Sequence, residues 1–280
     1  MALINFENVY YKYPTSSDWI LNNINMSLEK GKFYAVVGSN GSGKTTLCNI
    51  IRGFIPHFFK GDLQGKVTVR GRDITEGDIG TLATTVGYIF ENPFNQISGI
   101  KDNVYEELAY GLENLGVKRE EIKRRVDDII DLVDLHHLKD KNPLELSGGQ
   151  QQRVAFASIL IMDTDIIVID EPTSQLDPQS TESIFKIIEH MKKEGKTIIL
   201  VEHKIDLIAQ FADEVIVLSD GEIKSRGKTK KVLTDNRLES WGVPYTEYTK
   251  LGKALKKKEL YKGDIPLTLH EAVYVVNSLK

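Results

Sequence analysis

The chain has 280 residues, 41% hydrophobic and 27% charged, which suits a soluble globular protein of one or two domains whose core needs no disulfide or structural metal. A net charge of -4 supplies no basic field for nucleic acid, and none is expected as a partner. A single cysteine excludes a disulfide framework, "MALINFENVYYKY" at the N-terminus lacks signal-peptide architecture, and no stretch approaches the ~20 apolar residues of a bilayer span. The chain is therefore expected in the cytoplasm, reaching a membrane only through a partner.

In chain order, "KFYAVVG" (32–38) reads as a buried strand and "TTLCNIIRG" (45–53) as the helix after it, with Cys48 a small core residue. "TVGYIF" (85–90), "DIIVID" (165–170) and "KTIILVEH" (196–203) are near-continuous apolar runs, the pattern of buried parallel strands. Between them, residues ~95–162 are mostly helical, with Ile122, Val126, Ile129, Ile130 and Val133 on one face. Ile184, Ile187, Ile188 and Met191 mark a later helix, and "EVIVLSDGEIKSRG" (214–227) is a hairpin around Asp220-Gly221. The fold class is α/β, with a helical subdomain (about 95–162) inserted in a unit spanning 1–235. Residues 236–280, with their own Pro and Gly punctuation, form a short C-terminal extension. Within it "KALKKKE" (253–259) reads as a solvated helix face rather than a lipid-binding patch.

"GSNGSGKT" (38–45) matches G-x-x-x-x-G-K-[ST] between a strand and a helix, the context of a P-loop. Gly38, Gly41 and Gly43 let backbone amides turn inward, and the helix start offers unpaired N–H groups to phosphate oxygens. Lys44 reaches the β and γ phosphates of a nucleoside triphosphate, and the Thr45 hydroxyl is a Mg²⁺ ligand. "DIIVIDEPTSQLD" (165–177) brings two acids to a strand's C-terminal end, where open parallel sheets bind ligands. Asp170 is suited to hold Mg²⁺ and Glu171 to orient or deprotonate an attacking water. His203 leaves the next strand at the same edge and can bond the γ phosphate or that water; His57, His136, His137, His190 and His270 carry no functional expectation.

"LSGGQQQR" (146–153) is a second anion seat opening a helix, and it resembles the signature of the ATP-binding cassette family. The supporting motifs span ~10–235 in the family's order. Tyr13, 25 residues before Gly38, resembles the aromatic that stacks on adenine, "TSQLD" resembles the D-loop with Asp177 its acid, and His203 fits the switch histidine. The resemblance implies a P-loop NTPase core with an antiparallel β subdomain, with Ser39, Asn40, Ser42 and Thr46 completing the ATP contacts. It also implies a head-to-tail dimer. Ser147, Gly148, Gly149 and Gln150 of one subunit would then grip the ATP held by the other's Lys44, so that neither half-site is complete alone. The partner ATPase would be a second copy or a paralogue. One position departs from the pattern: the family usually has a glutamine where this chain has Glu91, a Mg²⁺ ligand that adds negative charge near a triphosphate, with Gln96 a substitute if the loop is shifted.

"ENPFNQISGIKDNVYEELAYGLENLGV" (91–117) and the tail resemble the energy-coupling factor branch, which takes up vitamins and transition-metal ions. The branch implies a transmembrane coupling protein, a small substrate-capture membrane protein, and a tail that helps dimerise. The loop Glu91 to Ile100 would then form a docking groove for the coupling protein, with Glu91, Glu106 and Glu107 complementary to its arginines. Two other readings stay open at this point: the ATPase of a conventional importer, and a soluble cassette ATPase that remodels a protein complex.

Overall fold

The computed structural model describes residues 2–76 and 79–279. Among these, ten strands form two sheets: β1 (Ala2–Lys12), β2 (Leu21–Glu29), β3 (Phe33–Val37), β4 (Asp62–Val69), β5 (Arg72–Asp73), β6 (Val86–Ile89), β7 (Ile166–Asp170), β8 (Thr197–Val201), β9 (Glu214–Ser219) and β10 (Glu222–Lys228). The first sheet is antiparallel in the order β2-β1-β4-β5, and the second runs β10-β9-β3-β8-β7-β6, parallel except for β10. This is the α/β cassette fold that the motifs implied.

The parallel strands are apolar along their whole length because both faces are covered; every residue of β3, β6, β7 and β8 is buried. The antiparallel sheet carries a fainter code. Ile4 and Phe6 of β1 point inward, but so do Val9 and Tyr11, one residue out of phase. A bulge between Phe6 and Val9, with Asn8 at φ 49°, makes up the difference. The Asp220-Gly221 turn has positive φ at both positions (52° and 74°), which twists the β9–β10 hairpin in the favoured sense.

Helices α1 (Lys44–Arg52) and α2 (Phe54–His57) follow β3, and the short α3 (Ile79–Ala83) precedes β6. The helical insert comprises α4 (Val104–Asn114), α5 (Arg119–Leu132) and α6 (Gly148–Leu160), and α7 (Pro178–Lys193) and α8 (Ile205–Phe211) flank β8. The α5 and α7 stripes bury their apolar faces as the periodicity required. One core lies between the two sheets around α1, with Cys48 fully buried, and a second joins the insert to α7 and the outer face of β7 and β8.

Beyond α9 (Thr229–Leu233) come α10 (Glu247–Lys257) and α11 (Leu269–Asn277). A third core joins Val215 and Val217 of β9 to Leu238, Val243, Tyr245 and Leu267, so the tail shares apolar packing with the sheet. Lys256, Lys257 and Lys258 are exposed.

Candidate functional site

β3 delivers the chain into the P-loop, and two glycines there are required by space. A Cβ on Gly38 would lie 2.0 Å from the Leu218 carbonyl oxygen of β9, and one on Gly43, at φ 101°, would lie 2.7 Å from Leu21 Cδ2. Gly43 is the N-cap of α1, so the first amides of that helix open toward the loop. Lys44, 5% exposed, donates to the carbonyls of Gly38 (3.1 Å) and Ser39 (2.9 Å). Burial pulls its ammonium below the usual lysine range, while Glu171 and Asp170 pull it back up. Tyr13 is tied to the start of α1: its hydroxyl lies 3.2 Å from Thr46 Oγ1, and its ring packs edge-on against Tyr11.

β7 ends in Asp170, 6% exposed. Burial raises its carboxyl above the ordinary aspartate range, and hydrogen bonding to Thr45 and Tyr88 opposes that shift. Tyr88 donates to Asp170 Oδ2 at 3.1 Å, whereas Oδ1 is buried with no hydrogen-bond partner. Burial keeps the Tyr88 hydroxyl protonated far above neutrality, so it stays a donor. Exposed Glu91 lines the same groove as Thr45 and Asp170, and its charge adds to the raising of Asp170. A buried orphan carboxylate oxygen, a hydroxyl and a second carboxylate are a hard oxygen set suited to Mg²⁺. No group of three or more His, Cys, Asp or Glu forms a protein-only metal cage among the described residues. Asn92 and Asn95 line this groove rather than Gln96, whose Oε1 is buried without a partner in the loop.

The residue after Asp170 sits in unusual backbone. Glu171 has φ 46°, a region that costs a non-glycine residue about 1 kcal/mol or more, and its amide donates to the Val201 carbonyl at 2.9 Å. That turn aims the carboxylate across the gap to β8. There His203 Nε2 lies 2.9 Å from Glu171 Oε1. β8 stops at Val201, so Glu202 and His203 lie beyond the strand, in the turn before α8.

The second anion seat lies at the N-terminus of α6. Ser147 and Gly148 are exposed, and Gln150 Oε1 accepts from the Ser147 amide at 3.0 Å, closing a capping box. Gly149 packs on α7: a Cβ there would lie 2.4 Å from Ser180 Oγ. Ser180 Oγ in turn donates to Asp177 Oδ2 at 2.6 Å, and Asp177 caps α7 by accepting from the Gln179 and Ser180 amides. The expected residues thus fall in two groups, one around Lys44, Asp170, Glu171 and His203, and one around Gly149 and Asp177.

One expectation fails. Glu107 is 5% exposed, and its two oxygens accept from the Ser98 amide and hydroxyl, each at 2.7 Å. It pins the 91–103 loop to α4 and has no free charge for a partner; Glu91 and Glu106 are exposed. Conversely, Tyr88, Thr173 and Glu202 carry hydrogen bonds central to the site and were not anticipated. Tyr88 was hidden in an apolar strand run, and Glu202 had one visible signal, a charge interrupting the run before His203.

Residues 21–174 match the ABC transporter family. A protein of Pyrococcus abyssi described as an ABC transporter ATP-binding protein is 40% identical over 260 residues, covering 92% of this chain and 92% of that one. Among solved structures, cbiO1 from Clostridium perfringens, part of the ABC transporter complex cbiONQ, aligns with a TM-score of 0.75 at 30% identity, covering 92% of this chain and 97% of that one. A dimeric post-hydrolysis state of the cassette MJ0796, bound to ADP and Pi, aligns with a TM-score of 0.70 at 27% identity, covering 81% of this chain and 98% of that one. No helix among the described residues is long and apolar enough to cross a membrane. With more than half the chain matching and relatives aligned almost end to end, the chain belongs to the ABC transporter family and is one of its ATP-binding ATPase cassettes.

Proposed function

We propose that this chain is the ATPase subunit of an energy-coupling factor importer for vitamins or transition-metal ions, held at the cytoplasmic face of the cell membrane by a transmembrane coupling protein and a substrate-capture protein. The observation that carries this reading is the likeness to cbiO1, a component of a multi-protein transporter complex, over 92% of the chain. The shape of the surface supports it. A groove of about 420 Å³ opens beside Thr45 and Asp170, walled by Phe54, Phe90 and Glu91, and Phe58 at its rim is 72% exposed. Apolar surface next to the nucleotide site, with exposed Phe94 and Ile100 on the adjoining loop, suits docking of a partner helix whose basic side chains would meet Glu91.

Two such chains, identical or paralogous, pack head to tail and enclose two ATP molecules. In each site Tyr13 stacks on the adenine, the loop from Gly38 to Thr46 cradles the phosphates, and Lys44 leaves the Gly38 and Ser39 carbonyls to neutralise the β and γ phosphates. Thr45, Asp170 and Glu91 would hold Mg²⁺, which would supply further charge neutralisation on the phosphates. Glu171 takes the proton of the attacking water, and His203, held against Glu171, orients that water and the γ phosphate. Ser147, Gly148, Gly149 and Gln150 of the opposite chain close over the γ phosphate with the helix N-terminus of α6, and Asp177 fixes that contact by organising the start of α7. Phosphate loss removes the shared ligand, and the dimer reopens.

The test is to recover this chain, tagged at native expression, from detergent-solubilised membranes and identify what accompanies it. One coupling protein, a second ATPase and small capture proteins support the reading. Ordinary paired permeases reassign it to a conventional importer, and recovery without any membrane protein removes transport.

A further inference from the structure

The catalytic turn after β8 is organised by a residue outside every motif. Glu202 is 3% exposed. Its Oε1 accepts from the amides of His203 (2.8 Å) and Lys204 (3.1 Å), and its Oε2 accepts from the Thr173 hydroxyl at 2.7 Å. Thr173 is fully buried in the loop that carries Glu171. Lys204 reaches the same residue from the other side of His203: its Nζ donates to the Thr173 carbonyl (3.1 Å) and to Thr181 Oγ1 of α7 (2.8 Å).

The two neighbours of His203 therefore both hold Thr173. The imidazole, by contrast, is 46% exposed and hydrogen-bonds only Glu171 among the described residues. A half-exposed ring with one ligand takes its position from its backbone, and that backbone takes its position from the buried Glu202 carboxylate. We propose that Glu202 and Thr173 form a positioning clamp that fixes His203 relative to Glu171, so that the catalytic pair is set by hydrogen bonds between the two loops rather than within either one. Lys204 extends the clamp to Thr181 on α7, the helix whose start carries Asp177 and touches Gly149. The position of His203 is thereby joined to the segment that faces the second ATP.

A purely structural role would be to satisfy the free amides ahead of α8 and nothing more. The two roles differ in what they do to turnover. Thr173→Val keeps side-chain shape and leaves the Glu202–amide bonds and the Lys204 bond to the Thr173 carbonyl intact, but cuts the Glu202–hydroxyl bond between the loops. A misplacement of about 1 Å at a reacting group costs up to about a hundredfold, so Thr173→Val is expected to lower kcat between about tenfold and a hundredfold. KM for ATP should stay within about twofold, since the P-loop is untouched. Thr173→Ser restores the hydroxyl and should restore kcat to within about threefold. Glu202→Gln keeps a carbonyl for the two amides and an NH₂ for Thr173, and should fall between Thr173→Val and the native chain.

The experiment measures steady-state ATP hydrolysis by the full chain, with each substitution made alone and with His203→Ala. In the His203→Ala background Thr173→Val should cause no further loss in the residual rate. Normal kcat in Thr173→Val, or an equal loss with His203 already removed, overturns the clamp. The inference rests on the proposed role of His203: if His203→Ala alone turns over normally, that role fails and the clamp falls with it. If His203→Ala is impaired while Thr173→Val is normal, the clamp alone fails. Should Glu202→Gln not fold, the Thr173→Val and Thr173→Ser pair, which retains the buried carboxylate, decides the matter.

Discussion

His203 Nε2 sits 2.9 Å from Glu171 Oε1, joining the ends of two strands that are adjacent in the sheet and 32 residues apart in the chain. Glu171→Gln preserves size and a hydrogen bond to His203 but removes the base. Turnover should fall by about 10²- to 10⁴-fold while equilibrium ATP binding persists. Retention of near-native hydrolysis in a steady-state assay would assign the proton transfer elsewhere.

Asp170 supplies a pH dependence whose sign follows from its surroundings. Burial raises its carboxyl, and the Tyr88 hydroxyl counteracts that by bonding the charged form. Tyr88→Phe removes one of the two opposing bonds, that from Thr45 remaining, so the carboxyl rises further and stays protonated to a higher pH. The acid limb of ATPase activity should shift upward, and the Mg²⁺ requirement at pH 6 should increase by roughly threefold to tenfold, with little change at pH 8. An unmoved acid limb in a pH titration at fixed Mg²⁺ would show that Asp170 does not set it.

Gly149 has no room for a side chain. Its Cβ would meet Ser180 Oγ at 2.4 Å, and that hydroxyl is held by Asp177 at 2.6 Å. Gly149→Val should therefore disturb the face offered to the opposite ATP without touching the P-loop. Nucleotide affinity of the single subunit should hold, while ATP-induced dimerisation weakens by about tenfold or more in sedimentation velocity. Undiminished dimer at the native ATP concentration would contradict the shared-site arrangement.

Glu106 and Glu107 are neighbours with opposite burial. Glu107→Ala removes two hydrogen bonds from the Ser98 amide and hydroxyl and should cost about 1–3 kcal/mol in denaturant unfolding. Glu106→Lys, on the exposed face, should leave stability within about 0.5 kcal/mol and weaken only co-purification with a membrane partner. Equal destabilisation by the two would mean that the loop is not pinned through Glu107.

Gly242 follows a short helical turn at φ 77°, and a Cβ there would come within 3.0 Å of Ser39 Cβ in the P-loop. Gly242→Ala should cost about 1–2 kcal/mol from backbone strain alone. Because the contact is with the phosphate loop, KM for ATP should rise as well. A lowered melting temperature with unchanged KM would show that the tail and the P-loop are energetically separate.

The chemistry-bearing positions were legible because phosphate binding imposes local requirements. A strand, three glycines and Lys44-Thr45 must be contiguous for amides and ammonium to converge, and Asp170-Glu171 must close an apolar run. The first sheet was legible only through the family likeness, because the bulge at Asn8 breaks the alternation by which a half-buried strand is recognised. Glu107 was misjudged for a related reason: residue type gives charge, but burial depends on where Ser98 lands.

The sequence by itself determined where the P-loop pattern, the Asp170-Glu171 pair, His203 and the LSGGQQQR stretch lie, since each is a short stretch whose neighbours in the chain are its neighbours in space. Only the tertiary structure decided how Tyr88 reaches Asp170, how Glu202 reaches Thr173 and how Gly242 meets Ser39. These contacts join residues 82, 29 and about 200 positions apart; the first two exist because parallel strands place distant segments side by side at one edge of the sheet, and the third because the tail packs back against β9.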